Sequence, residues 1–216
     1  MKKGKHIALL VSVFIALLTM LGIYLHYKLV PYNENRVKIG ATYMTMNNDF
    51  YKVLNNEIDK IVEEKNDILY TRDPALDVNK QTQQVELFIK KRVDIIIINP
   101  VDADSKKLIK ALKKAKETGI KVVVVDSQLS DNSPVDTTIV SDNYQAGVLC
   151  AQNLMQTQPS AKILLLEHQK AVSAVDRING FLATIKGHDS YQVVDRKDCL
   201  GQTEVAMPQV ESVINS

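Results

Sequence analysis

Amide and aromatic side chains cluster in a short segment that follows the first apolar stretch of the chain. Residues 47–51 read Asn-Asn-Asp-Phe-Tyr, after the apolar stretch 37–41 and before an amphipathic pattern. Amides hydrogen-bond hydroxyl groups both as donors and as acceptors, and aromatic faces stack on the C–H face of a sugar ring. The combination favours a polyol ligand over an anion. The alternative is an Asx-type turn that caps the next helix, with Phe50 and Tyr51 packed beneath it.

The sequence carries none of the motifs that commonly mark a catalytic or cofactor site. No G-x-G-x-x-G follows a strand, and neither G-x-x-x-x-G-K-[ST] nor G-x-S-x-G occurs. Glu167 and His168 are adjacent at a strand end, but the pattern places no nucleophile or metal partner beside them. His168 and His188 are isolated and are predicted to lie on the surface or in loops. We therefore expect no catalysis, no metal ion and no cofactor.

The charge pattern disfavours a nucleic acid partner. The chain has a formal net charge of +2 at pH 7, and an excess of lysines lies in residues 1–35. What remains is close to neutral and would not attract a phosphate backbone. The lysine-dense helix predicted at 106–116 has an apolar opposite face at helical spacing, which is typical of a solvated helix on a globular core.

The N-terminal region has the composition of a membrane segment. Residues 7–25 form an uncharged, mostly apolar run that three lysines precede. As a helix this run would extend roughly 28 Å, about one hydrocarbon core. The pattern predicts a transmembrane anchor within residues 1–30, which would hold the rest of the chain at the cell membrane on its extracytoplasmic side. A cleaved secretory signal is the alternative, although the end of the run offers no good small-residue cleavage site.

Cys150 and Cys199 are the two cysteines of the chain. A bridge between them is chemically permitted in an exported protein, and their spacing leaves the question open. Cys150 has apolar neighbours in a predicted helix, so a small buried thiol is predicted there.

Strands and helices are predicted to alternate from Arg36 onward. The runs 94–98 and 120–125 are so continuously apolar that both faces of each strand must be covered, which is typical of a parallel sheet flanked by helices. Strands are predicted at 37–42, 67–71, 94–98 and 120–125, with helices at 50–65, 77–91 and about 105–118. Right-handed crossovers would lay these helices on both sides of one sheet. The loops at its carboxyl edge bring Asn48, Phe50, Tyr51 and Asp126 to a common rim.

A second series begins after a polar loop, so a lobe boundary is predicted between residues 140 and 141. The first lobe is residues 36–140 and the second lobe is residues 141–216. In the second lobe the pattern predicts strands at 161–166 and 191–195 and helices at about 173–187 and 203–215. The fold class is therefore α/β with two doubly wound parallel-sheet lobes.

With these positions set out, the chain resembles the periplasmic sugar-binding proteins of the ribose-binding type, the receptors of sugar ABC importers. The resemblance rests on segments that occur in the family's order, at strand ends and at the start of a second-lobe helix: 47–51, 98–102, 125–128, 141–143 and 176–181. It implies a type 1 periplasmic binding protein fold, in which two hinged lobes close over a monosaccharide. The ligand contacts that it implies are Asn48, Phe50, Tyr51, Asp126 and Arg177.

The chain departs from the family pattern in two side chains and in its length. Ser127 stands where the ribose type has an arginine, and Cys199 stands where it has an aromatic residue. The ligand therefore stays open among pentoses, hexoses, polyols and furanosyl molecules. Family members continue well past the region that matches 201–216, so we expect a truncated chain with an incomplete second lobe and weakened or absent sugar binding.

These observations predict an extracytoplasmic receptor that captures a monosaccharide by lobe closure and delivers it to an ABC permease. The alternative is a membrane-tethered sensor whose closed lobes signal to a histidine kinase or a chemoreceptor. An anchored receptor fits both roles, since tethering raises its local concentration beside a membrane partner.

Overall fold

The computed structural model describes the backbone of residues 2–29 and 36–215, and the side chains of residues 11–25 and of 36–215. The chain divides into two compact units, residues 1–36 and residues 37–216. The first unit contains one helix, α1 (Lys2–Leu29). The transmembrane prediction is not confirmed, since no helix in the described part of the chain combines the length and apolarity needed to cross a membrane. Residues 7–10 of the predicted segment lie outside the described side chains.

The second unit begins with a parallel five-stranded sheet in the order β2-β1-β3-β4-β5. The predicted alternation of strands and helices is confirmed in this part of the chain. The elements are β1 (Lys38–Thr42), α2 (Asp49–Glu64), β2 (Ile68–Arg72), α3 (Val78–Lys91), β3 (Ile95–Ile98), α4 (Lys106–Glu117), β4 (Lys121–Val125) and β5 (Thr137–Ile139).

Helices cover both faces of this sheet, as the apolar strands predicted. Ile96 and Ile98 of β3 are fully buried in a cluster with Phe88 of α3 and Leu108 of α4. Ile97 points the other way and packs in a second cluster on the α2 side of the sheet. Successive residues of a strand face opposite sides, so a strand buried on both sides must be apolar throughout.

The remaining elements surround a second, two-stranded parallel sheet, β6-β7. They are α5 (Asn143–Thr157), β6 (Ala161–Glu167), α6 (Val172–Ile185), β7 (Tyr191–Asp198) and α7 (Thr203–Ile214). The five-stranded sheet thus lies before the predicted lobe boundary and the two-stranded sheet lies after it.

Helices α5 and α6 cross at two glycines. A Cβ atom built on Gly147 would lie 1.9 Å from the carbonyl oxygen of Arg177, and one built on Gly180 would lie 2.0 Å from that of Tyr144. Only a residue without a side chain permits such a close approach of two backbones. The crossing therefore fixes the position of the helix turn that carries Arg177.

One expectation about a single side chain is wrong. Cys150 is exposed, because the buried face of α5 is formed by Asn143, Gly147 and Ala151. Both cysteines are free thiols, and Cys199 is the buried one. His168 lies in the loop that directly follows β6, one of the two places predicted for it, and it is buried there against the backbone near Gly201.

Candidate functional site

A cleft of about 410 Å³ lies where the carboxyl ends of the first sheet's strands face the start of α6. Its lining includes all five of the side chains predicted to contact a ligand. The lining residues are Asn48, Phe50, Tyr51, Asp126, Leu166, Ser173, Ala174, Arg177 and Ile178. Asn48 from the loop after β1, Phe50 and Tyr51 from the first turn of α2, and Asp126 from the loop after β4 come together because parallel strands end at one edge of the sheet. The structure thus brings the predicted residues together, and their contact with a ligand stays a prediction.

Asp126 directly follows β4 and has a left-handed backbone, with φ of +64°. Its amide donates to the carbonyl oxygen of Ile139 at 2.8 Å, which ties the turn to β5. Its Oδ2 accepts hydrogen bonds from the Tyr51 hydroxyl at 3.0 Å and from Asn99 Nδ2 at 3.3 Å. Within the described residues Oδ1 has no such partner, so it remains available to accept from a ligand hydroxyl.

Asn99, which directly follows β3, is a residue whose role the sequence did not reveal. It is fully buried, and its Oδ1 accepts from the amide of Met44 at 3.2 Å while Nδ2 donates to the carbonyl of Val125 at 3.0 Å. Its own carbonyl accepts from Nε2 of the buried Gln81 at 2.8 Å. Asn99 therefore joins the loops after β1, β3 and β4 and orients the Asp126 carboxylate.

Three aromatic rings form a row on the first-lobe side of the cleft, with the ring of Tyr51 between those of Tyr43 and Phe50. Tyr43 is fully buried and stacks on Tyr51, with ring centroids 5.9 Å apart and an interplanar angle of 19°. Phe50 meets Tyr51 edge to face, with centroids 5.3 Å apart. Phe50 is 55% exposed and so presents its ring to the cleft instead of the core, which excludes the interpretation of this residue as core.

Tyr51 acts as a neutral donor in this arrangement. Burial raises the pKa of its phenol most strongly, and the adjacent Asp126 carboxylate raises it further by repelling the phenolate and accepting its proton in a hydrogen bond. The phenol therefore stays protonated at neutral pH and holds Asp126 in place.

Asn48 both caps helix α2 and lines the cleft. Its Oδ1 accepts from the amide of Phe50 at 2.9 Å, so the predicted Asx-type cap exists. The Nδ2 group has no hydrogen-bond partner among the residues that the structure describes, which leaves its two N–H donors for a ligand. The two interpretations of this residue are thus compatible.

Arg177, in α6, gives the cleft a positive charge that balances the negative charge of Asp126. Its Nε donates to Oδ1 of Asn143 at 2.8 Å, and Asn143 is itself buried at the start of α5. This bond fixes the plane of the guanidinium, and the described residues make no hydrogen bond to its two terminal nitrogens. A planar fork of donors is therefore directed by α5 and α6 at the cleft.

The cleft has the chemistry of a binding site for a neutral, hydroxylated molecule. Asp126 and Arg177 carry opposite charges that cancel, Asn48 and Asp126 offer a donor and an acceptor, and Phe50 offers an apolar face. Ser127, which replaces the family's arginine, is buried and bonds instead to the amide of Ser173 at 3.2 Å. Among the described residues, no group of three His, Cys, Asp or Glu could hold a metal ion.

The adjacent residues Glu167 and His168 line a separate, smaller pocket of about 210 Å³. The Glu167 carboxylate accepts from Arg196 Nε at 2.6 Å and pairs with its Nη2 at 2.5 Å. Burial lowers the pKa of His168, so the imidazole is neutral at pH 7. The carboxylate is thus engaged with an arginine and does not face a nucleophile.

Comparisons with known proteins agree with this geometry. A family profile described as "Periplasmic binding protein domain" matches residues 39–216. The ribose import binding protein of Bacillus subtilis (strain 168) is 31% identical over 186 residues, which is 84% of this chain. A solute-binding protein of an ABC transporter from Agrobacterium vitis, solved with bound D-fucose, superimposes with a TM-score of 0.75 at 29% identity over 82% of this chain. One from Mycobacterium smegmatis, solved with bound glycerol, gives a TM-score of 0.77 at 27% identity over 84% of this chain.

The chain is shorter than these proteins. The matched region spans 59% of the Bacillus protein, 63% of the Agrobacterium protein and 62% of the Mycobacterium protein.

Proposed function

We propose, from the premise that this chain belongs to the periplasmic binding protein family, that it captures a neutral monosaccharide between its two lobes outside the cytoplasm. In this proposal the bound sugar is then delivered to an ABC importer, and no covalent bond is made or broken. One observation carries the proposal: a carboxylate, a guanidinium, an amide and an exposed ring line a single cleft whose charges cancel.

Each side chain has a specific part in sugar capture. Asp126 accepts from hydroxyls through its free Oδ1, Asn48 and Arg177 donate to ring or hydroxyl oxygens, and Phe50 covers the apolar face of the ring. Closing the lobes removes these groups from water, which strengthens the hydrogen bonds and buries the stacked faces. The relatives named for ribose and solved with D-fucose support a monosaccharide as the ligand class.

The test is saturation-transfer NMR with the 216-residue chain, using D-ribose, D-fucose and the anion ribose 5-phosphate as probes. We expect saturable binding of at least one neutral sugar, at a dissociation constant between about 1 µM and 1 mM. Asp126→Asn should weaken that binding by about tenfold or more, because it replaces a charged acceptor while asparagine tolerates the left-handed backbone. The phosphorylated sugar should bind more weakly than the neutral one, since a cleft without net positive charge does not compensate the cost of removing a phosphate from water.

The matched control is Asp131→Asn, which removes a first-lobe carboxylate that pairs with Lys113 away from the cleft. It should leave the dissociation constant unchanged. Equal binding by Asp126→Asn and the unsubstituted chain, or tighter binding of ribose 5-phosphate than of either neutral sugar, would refute the proposal. Signalling to a histidine kinase or chemoreceptor stays a prediction, because sugar capture in the cleft is common to both roles.

A further inference from the structure

Polar contacts join the two lobes at places outside the lining of the ligand cleft. Lys170 Nζ, in the loop after β6, lies 3.1 Å from Oδ2 of Asp102, in the loop after β3. Asn47 Nδ2, in the loop after β1, donates to Oε1 of Glu204 at 2.6 Å and to Oε1 of Gln202 at 3.2 Å. Both contacts connect residues of the first lobe to residues of the second, so separating the lobes at these points would break them.

We propose that Asp102–Lys170 and Asn47–Glu204 form an interlobe latch, a set of positioning residues that stabilises the closed lobes without touching the ligand. This inference rests on the proposed function, since closure matters only if the cleft binds a ligand. A ligand that binds the closed form has an apparent dissociation constant equal to its intrinsic value divided by the closed fraction. The latch therefore sets affinity by setting that fraction before the ligand arrives.

The two partners of the ion pair are held in position by their own lobes. Oδ1 of Asp102 accepts from the amide of Asp104 at 3.1 Å, so the carboxylate is fixed with Oδ2 facing the second lobe. Behind it, Oε1 of the buried Gln81 accepts from the amide of Val101 at 2.8 Å. The loop is thus rigid on the first-lobe side, and little side-chain entropy of Asp102 is lost on closure.

On the second-lobe side, apolar burial presents Lys170 to its partner. Its neighbour Ala171 is 4% exposed and packs in the cluster of Tyr43, Met44 and Val101 of the first lobe. This contact places the loop after β6 directly against the loop after β3. Asp102 is 23% exposed in its side chain, so its interaction with Lys170 is partly shielded from water.

The second half of the latch uses the start of α7. Gln202 is the residue that precedes this helix and is buried, and Glu204 lies in its first turn. Asn47 reaches both with one amide group, at the opposite end of the 47–51 segment from the aromatic residues that line the cleft. The segment 47–51 therefore lines the cleft with Asn48, Phe50 and Tyr51, and it contacts the second lobe with Asn47.

The experiment measures the distance between the lobes in the absence of any ligand. Spin labels are placed on the native exposed Cys150 of the second lobe and on Gln83→Cys, an exposed position of α3 in the first lobe; Cys199 is buried and shielded from the label. Pulsed electron paramagnetic resonance then gives the distribution of distances. The unsubstituted pair gives the reference ratio of longer, open distances to the shorter, closed distance.

Lys170→Gln and Glu204→Ala, which removes the acceptor of the Asn47 amide, should each raise the ratio of open to closed lobes by about two- to fivefold, the range expected for a partly exposed polar pair. High salt should act in the same direction on the unsubstituted chain, because it screens the Asp102–Lys170 attraction. Exchanging the charges with Asp102→Lys and Lys170→Asp together should restore the closed distance. The matched control is Lys113→Gln, which breaks a lysine–aspartate pair of 2.8 Å that lies within the first lobe.

A distance distribution that is the same for Lys170→Gln, Glu204→Ala and the Lys113→Gln control would overturn the latch. This outcome is distinguishable from failure of the proposed function, since no sugar enters the measurement. If the lobes open in the latch variants but no sugar binds, the latch stands and the proposed ligand class falls. If sugar binds but the distances do not change, the proposed ligand class stands and the latch is refuted.

Discussion

Substitution of Gly147 by alanine tests whether the contact between α5 and α6 is as close as described. The added Cβ would lie 1.9 Å from the carbonyl oxygen of Arg177, against the 3.4 Å at which ordinary contact begins, so the two helices must separate by about 1.5 Å. Overpacking of this kind costs about 1–3 kcal/mol. In an unconstrained helix the same substitution would stabilise the protein by about 1 kcal/mol. Gly147→Ala is therefore expected to lower the free energy of unfolding, whereas helix propensity alone would raise it.

The assay is urea unfolding followed by circular dichroism, with Gln152→Ala on the exposed side of α5 as the control for helix propensity. Gly147→Ala should lower the urea midpoint without changing the slope, while the control should leave it unchanged or raise it. A midpoint equal to or above that of the unsubstituted chain would show that the helices are not in backbone contact. Because the displaced carbonyl belongs to Arg177, the same variant should also weaken sugar binding.

Two further changes test buried groups near the cleft. Tyr43→Phe should raise the free energy of unfolding by about 1 kcal/mol, because the buried Tyr43 hydroxyl has no hydrogen-bond partner among the described residues. Burial also raises the pKa of this phenol to about 12. A urea midpoint equal to or below that of the unsubstituted chain would contradict this prediction. Burial lowers the pKa of His168 below its usual 6.5, so the unfolded chain binds a proton more readily and stability should fall as pH drops below 6.5. His168→Gln should reduce the difference between midpoints at neutral and mildly acidic pH, and an unchanged difference would show that His168 is not the responsible group.

The fold of the first lobe was predictable because its strands are nearly continuous runs of isoleucine and valine. Such runs leave few alternatives to a parallel sheet covered on both faces, and parallel topology then places Asn48 and Asp126 at one edge. The periodicity of the sequence does not predict that Arg177 lies at the cleft. The resemblance to the family implies this position, since no local pattern says which helix of a second lobe faces the first.

The features that the sequence did not predict share a physical origin in contacts between segments that are distant in sequence. Cys150 was expected to be buried for its apolar neighbours, yet α5 buries its small residues against α6 and leaves Leu149 55% exposed. His168 lies in a loop, as its isolation predicts, but its burial there depends on the distant segment near Gly201 that packs against it. Asn99 has the same local signature whether its side chain faces water or, as here, joins three loops.

The left-handed backbone of Asp126 limits how selectivity can diverge at this position. Glycine, asparagine and aspartate adopt that conformation at little cost, whereas β-branched and bulky residues are strained there. Substitutions that change ligand selectivity are therefore expected less often at Asp126 than at neighbours such as Ser173 or Ile178, whose helical backbone accepts almost any side chain. A mutagenesis library built on this chain should keep position 126 constant and diversify the opposite wall.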